Sequence, residues 1–133
     1  MGVEDADEGL RVFLRDHWTG LANKYCDTEG VNLLVAHLFM AREGGELPEE
    51  PEDERPINIG GADAVYTSLI PPAMQYAALG HLHRWQTVDV EPCPAVYSGS
   101  PLSYSFSEAE QDKYVTLVDL EPGGPARVTK RRL

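Results

Sequence analysis

Two short apolar runs constrain this chain more than any other feature. Val31-Asn32-Leu33-Leu34-Val35-Ala36 ends on His37, and Tyr76-Ala77-Ala78-Leu79 runs through Gly80 into His81-Leu82-His83. Both read as buried strands, which points to an α/β sheet. Ligands gather at strand ends in such sheets, so a histidine at the end of each run stands where a site would form. Alternate side chains of an extended segment point to one side, so His81 and His83 are expected to face a site together. Gly80, just before them, is expected to let the backbone turn tightly toward an ion. Neutral imidazole is a common ligand for Mn, Fe and Zn, and these three residues hold two of the chain's four histidines. The candidate metal ligands are therefore His37, His81 and His83. The competing readings are a short motif arisen by chance and, for His37, a core histidine bonded to backbone.

The rest of the chain supplies a frame for those runs. Leu10, Val12, Phe13, Leu14, Trp18, Leu21 and Ala22 recur at near-helical intervals, so residues 8–25 read as an amphipathic helix after a frayed acidic start over residues 1–8. His17 lies on that helix and reads as a surface or packing residue. Cys26-Asp27-Thr28-Glu29-Gly30 is a turn, and a helix followed by a strand suits a layered α/β domain. Residues 42–56 are acidic, carry Pro48, Pro51 and Pro56, and read as a flexible loop. Gly60-Gly61 is a hinge or turn and does not begin a nucleotide-binding glycine motif. Residues 62–70 read as a short helix or irregular structure stopped by Pro71-Pro72.

Beyond the histidines, residues 85–88 are expected to lead outward from the site. Arg84 is a candidate phosphate contact, with a solvated arginine as the alternative. Trp85 reads as a packing residue, with base stacking as the alternative. Residues 95–98 read as a strand, followed by the turn Gly99-Ser100-Pro101. Ser98, Ser100 and Ser103 are turn formers, and with no general base identifiable beside them a serine hydrolase has little support. Residues 114–120 alternate as a strand, Glu121-Pro122-Gly123-Gly124-Pro125 is a turn, and residues 126–129 return as a hairpin partner, so 114–133 reads as a terminal hairpin. Lys130, Arg131 and Arg132 read as a small basic tail.

Length and charge bound the function. At 133 residues, 42% of them hydrophobic, the chain suits one domain with a real core. No apolar run is long enough for a membrane span, so no membrane partner is expected. The acidic start does not resemble a signal peptide, and a cytoplasmic location is expected. Cys26 and Cys93 follow no metal-type spacing and read as reduced, structural thiols. The net charge of −11 arises from two places: residues 4–8 carry four acids and residues 43–54 carry seven, leaving eleven acids against eleven bases elsewhere. That body lacks the basic stripe of a typical nucleic-acid footprint.

Taken in order, Arg55-Pro56-Ile57-Asn58-Ile59-Gly60-Gly61, Tyr76-Ala77-Ala78-Leu79-Gly80-His81-Leu82-His83-Arg84, Val96-Tyr97-Ser98-Gly99-Ser100-Pro101-Leu102, and Ser105-Phe106-Ser107-Glu108 with Lys113 resemble the SbcD-type exonuclease subunit, a calcineurin-like metallophosphoesterase. The resemblance implies an α/β fold: part of a four-layer α-β-β-α sandwich with mixed sheets. It also implies a centre of two metal ions, usually manganese (Mn2+), that cleaves DNA phosphodiesters by metal-activated water, and an SbcC-type ATPase subunit as partner. By position, His37 and His81 resemble ligands of the second metal and His83 a ligand of the first.

The family's D-x-H, G-D and G-N-H-D/E motifs, which precede the counterpart of His37, do not occur here. The chain therefore looks like the carboxyl-side half of a nuclease domain spanning residues 1–133. Two ions about 3.5–4 Å apart need anionic ligands between them, and three neutral imidazoles supply none. The expectation is weak binding of one ion and no catalysis by this chain alone, with activity requiring an amino-terminal half. The alternative is a stand-alone remnant, non-catalytic, that binds a protein partner or self-associates through apolar surface.

Overall fold

The computed structural model describes residues 3–48 and 64–133. Helix α1 spans Val3–Tyr25. It starts five residues earlier than the apolar pattern suggests. Asp7 and Glu8 fall in its second turn, where acids favour the positive helix end. The acidic start thus extends the helix.

Strands β1 (Leu33–His37), β4 (Tyr76–Gly80), β5 (Gln86–Asp89) and β6 (Ala95–Tyr97) form one mixed sheet in the order β1-β4-β6-β5. β1, β4 and β6 run parallel, and β5 runs antiparallel to β6. The α/β class and the mixed sheet follow the sequence expectation. Residues 86–89 depart from it, because they return as a sheet strand. Two further two-residue strands, β2 (Met40–Ala41) and β3 (Val65–Tyr66), pair in parallel, and β3 passes into a 3-10 turn, Thr67–Leu69. The acidic loop is seen in part: residues 42–48 follow β2, while 49–56 and Gly60-Gly61 lie outside the described residues.

One face of the sheet carries Leu34, Ala36, Ala77, Leu79, Ala95 and Tyr97 into the core, against Leu38, Met40 and Ile70, with Trp18 and Ala22 of α1. The Tyr97 side chain is fully buried, and its hydroxyl donates to Leu38 O at 2.6 Å and accepts from Met40 N at 2.7 Å. That phenol ties the carboxyl end of β6 to the chain just past His37. On the opposite face β1 exposes Leu33 (48%) and Val35 (78%). The expected burial of this strand is not met: β1 is the sheet's edge, and its outer face is open among the described residues.

Strands β7 (Tyr114–Asp119) and β8 (Arg127–Arg132) form the expected hairpin, with six register pairs from Tyr114↔Arg132 to Asp119↔Arg127. β8 is longer than the pattern suggests, so Lys130, Arg131 and Arg132 are strand residues and not a tail. Lys130 Nζ lies 3.9 Å from the Tyr114 ring centroid and 4.4 Å from that of Trp85, and Arg132 pairs with Asp112 at 2.6 Å. Two polar side chains fasten the hairpin. Trp85 Nε1 donates to Thr116 Oγ1 at 2.9 Å, and Gln75 Nε2 donates to Glu121 O and Gly124 O at 2.7 and 2.6 Å. Both cysteines are free thiols, Cys93 buried and Cys26 partly so. Among the described residues no helix is long and apolar enough to cross a membrane.

Candidate metal centre

The register of the parallel strands brings the first two candidate ligands together. His37 closes β1 opposite Gly80, which closes β4. A side chain on residue 80 would put its Cβ 3.0 Å from His37 Nδ1, so the His37 ring lies where that side chain would be. Gly80 has no positive φ; its role is to leave space, and the turn expected of it falls on the next residue. His81 has φ 114°, a left-handed conformation rare outside glycine that costs about 1–3 kcal/mol and tends to occur at functional sites. Its ring centroid stands 5.6 Å from that of His37, the planes tilted by 59°.

His83 takes a different place. Residues 81–83 do not continue the strand, so the alternation that would align His81 with His83 does not apply. The His83 ring lies 5.6 Å from the Tyr104 ring, with Nδ1 3.3 Å from Glu108 Oε2. Its backbone is held as well: His83 O accepts from Ser100 N at 3.0 Å and from Lys113 Nζ at 3.2 Å. Ser100 can approach because residue 99 is glycine, at φ +76° and with no room for a side chain. A Cβ there would lie 2.6 Å from His83 O and 2.9 Å from Trp85 N.

Glu108 is the residue of this region to which the sequence reading assigns no role. It closes the 3-10 turn Phe106–Glu108 and is 1% exposed. Its Oε1 accepts from Lys113 Nζ at 2.8 Å and lies 3.1 Å from Ser100 Oγ. Its Oε2 accepts from Ser105 Oγ at 3.1 Å and Tyr104 N at 3.2 Å. Burial alone pushes this carboxyl up from 4.5, but hydrogen bonds from Lys113, His83, Ser105 and Ser100 outweigh it and hold it at about 2. The side chain is therefore a carboxylate at neutral pH. Its available signal was a carboxylate and a lysine five residues apart in a serine-rich turn, a pattern that does not disclose burial.

The other residues singled out stand apart. His17 is exposed on α1 and stacks on Phe13 at 5.9 Å. Arg84 is exposed, and Trp85 is partly buried, hydrogen-bonded and covered by Lys130, so packing prevails over a bare stacking surface. Ser100 serves the Glu108 cluster: its Oγ lies 3.1 Å from Glu108 Oε1 and accepts from Lys113 Nζ at 3.1 Å. The donor chemistry suits a borderline metal only in part. His37 and His81 converge as two imidazoles, while among the described residues no three His, Cys, Asp or Glu side chains gather closely enough to hold an ion. Two imidazoles fit part of one coordination shell, and the carboxylates a two-ion centre needs are not beside them.

His37 closes one parallel strand of a mixed α/β sheet, and His81 follows directly on the end of its neighbour. The chain is 46% identical over 99 residues to the SbcD component of the SbcCD nuclease of Bacillus subtilis (strain 168), a match that covers 74% of this chain and 24% of that protein. It is 37% identical over 128 residues to the component of the same name from Rhodobacter capsulatus, covering 96% of this chain and 31% of the relative. No family model matches the chain. On these similarities the chain belongs to the SbcD-type nuclease family, and it spans no more than about a third of the length of the relatives it matches.

Proposed function

We propose that this chain is the carboxyl-side part of a metallophosphoesterase nuclease domain, and that it contributes His37, His81 and His83 to a manganese centre for DNA phosphodiester hydrolysis in break repair. The observation carrying this reading is the meeting of His37 and His81 above Gly80, within sequence 46% identical to an SbcCD nuclease component. The complete domain would be the four-layer α-β-β-α sandwich, with this mixed sheet as one of its two. The relatives' name supports a partner of the SbcC type. When bound, the metal ions supply Lewis acidity at the phosphate. The residues of this chain hold and orient: His37 and His81 present imidazoles from two strand ends, Tyr97 fixes the backbone behind His37, and Ser100 and Lys113 fix that of His83. Arg84, exposed and next to His83 in the chain, is the proposed phosphate contact. The imidazoles carry no negative charge, so the bridging carboxylates must come from residues not among these, and the chain alone is inactive.

The test is a Mn2+ titration followed by paramagnetic broadening of the histidine ring resonances, run beside a DNA cleavage assay. Broadening of His37 and His81 with no cleavage by the chain alone is expected. Mn-dependent cleavage by the pure chain, unchanged in His81→Ala, contradicts both the inactivity and the site.

The open face of β1 favours a second reading: a non-catalytic module whose exposed Leu33 and Val35 meet a separate amino-terminal polypeptide or a second copy of the chain. Size-exclusion chromatography with an apolar dye distinguishes the cases. A clean monomer that binds little dye argues against a half-domain with an uncovered face.

A further inference from the structure

The Glu108 cluster has more bonding than a turn requires. A carboxylate 1% exposed is held by a lysine ammonium, two serine hydroxyls and a backbone N–H, and one oxygen is still directed at the ring of His83. Taking a carboxylate out of water is costly unless its lone pairs are satisfied, and here they are. The two residues that anchor Glu108 through Oε1, Lys113 and Ser100, also hold the His83 carbonyl. One cluster therefore fixes both ends of His83, the main chain through its carbonyl and the ring through Nδ1. The Tyr104 ring borders the imidazole, while the Tyr104 N–H bonds the same carboxylate oxygen.

The chemistry of that contact decides the state of the ring. An ionised carboxylate only accepts hydrogen bonds, so the neutral imidazole must carry its proton on Nδ1. The lone pair is then on Nε2, at the far side of the ring. A histidine that ligates a metal through one nitrogen commonly donates the other N–H to a carboxylate, which sets both tautomer and angle.

We propose that Glu108 is the positioning residue of His83: anchored by Lys113, Ser100 and Ser105, it locks the imidazole in the Nδ1–H tautomer, so that Nε2 is the nitrogen whose lone pair would serve a divalent transition metal. The lock exists without metal. Its use rests on the reading of His83 as a ligand given above.

The experiment is nitrogen-15 NMR of the 133-residue chain, metal-free and at pH 8, where a neutral imidazole reports its tautomer through its two nitrogen shifts. His83 is expected to show the Nδ1–H form as its dominant state, and Glu108→Gln is expected to lose that bias, with at least a severalfold rise in the other tautomer. An Nε2–H form or an even mixture in the unaltered chain overturns the proposal, and this needs no variant to fold. A folded Glu108→Gln that keeps the Nδ1–H bias also overturns it, because something other than the carboxylate then sets the tautomer. Ser105→Ala serves as a milder variant that keeps the charge, and there the bias should persist. Added Mn2+ separates the two layers. If the tautomer is as stated but Mn2+ leaves the His83 resonances unbroadened, Glu108 positions the ring and the ligand reading of His83 fails.

Discussion

Gly80 and His37 share one space: a Cβ on residue 80 would lie 3.0 Å from His37 Nδ1. The neighbour is the far end of a side chain, so Gly80→Ala can be accommodated by rotating the imidazole. The fold should lose about 1 kcal/mol or less, because a surface-accessible ring can move aside. The pairing of His37 with His81 should suffer more, with Mn2+ affinity falling about tenfold. Thermal unfolding beside a Mn2+ titration checks this, and an unchanged affinity would show that the close approach has no part in metal binding.

Gly99 presents the opposite case. Its φ is +76° and the atoms a Cβ would meet, His83 O at 2.6 Å and Trp85 N at 2.9 Å, are backbone. Neither the conformation nor the contact can be relieved by a rotamer change. Gly99→Ala is expected to cost about 3 kcal/mol or more in urea unfolding. A cost below about 1 kcal/mol would mean that the turn does not press on the His83 backbone.

Tyr97→Phe isolates a single oxygen. Its loss leaves Leu38 O and Met40 N, both bonded by the buried hydroxyl, without that partner. Each unsatisfied buried group costs about 1–3 kcal/mol, so a loss of about 2–6 kcal/mol is expected for the two, with the ring packing kept. Because these groups follow His37 directly, the His37 resonances should also shift. A loss under about 1 kcal/mol would mean that water reaches them.

Cys93 sets an alkaline limit. Burial, then the negative charges of Asp89 and Glu91, push its thiol from 9.0 up to about 11. The protonated thiol is the form the fold favours. The associated stability is therefore fully present below pH 9 and is lost as pH rises toward 11, up to about 3 kcal/mol in all. Two consequences are measurable. The urea midpoint should fall across that window and fall less in Cys93→Ala, and Cys93 in the native chain should alkylate at pH 8 about a hundredfold more slowly than in urea, where the thiol returns to its ordinary range. Equal rates in both conditions would refute the burial of the thiol.

Much of the architecture was legible in local pattern. The run before His37, the run before His81, the strand and turn around Gly99 and the terminal hairpin each show their own periodicity or turn chemistry, and each forms within a few residues of its expected bounds. Helix α1 was legible in type but not in length, because the charges that extend it have no hydrophobic period. The burial of β1 was misread: an apolar run looks the same at the centre of a sheet and at its edge. Lys130 to Arg132 looked like a tail because charge alone does not reveal a hairpin strand.

Which segments become strands, and that histidines stand at two of their ends, was thus settled by the order of residues alone, since these are properties of neighbours and of side-chain period. Where those histidines come to lie was settled only when the chain packed. The parallel register of β1 and β4 sets His37 over Gly80, a left-handed turn swings His81 toward it, and a carboxylate 25 residues further along reaches His83. Contacts of that kind depend on where distant backbone segments cross, and a buried Glu108 is written with the same letter as an exposed one.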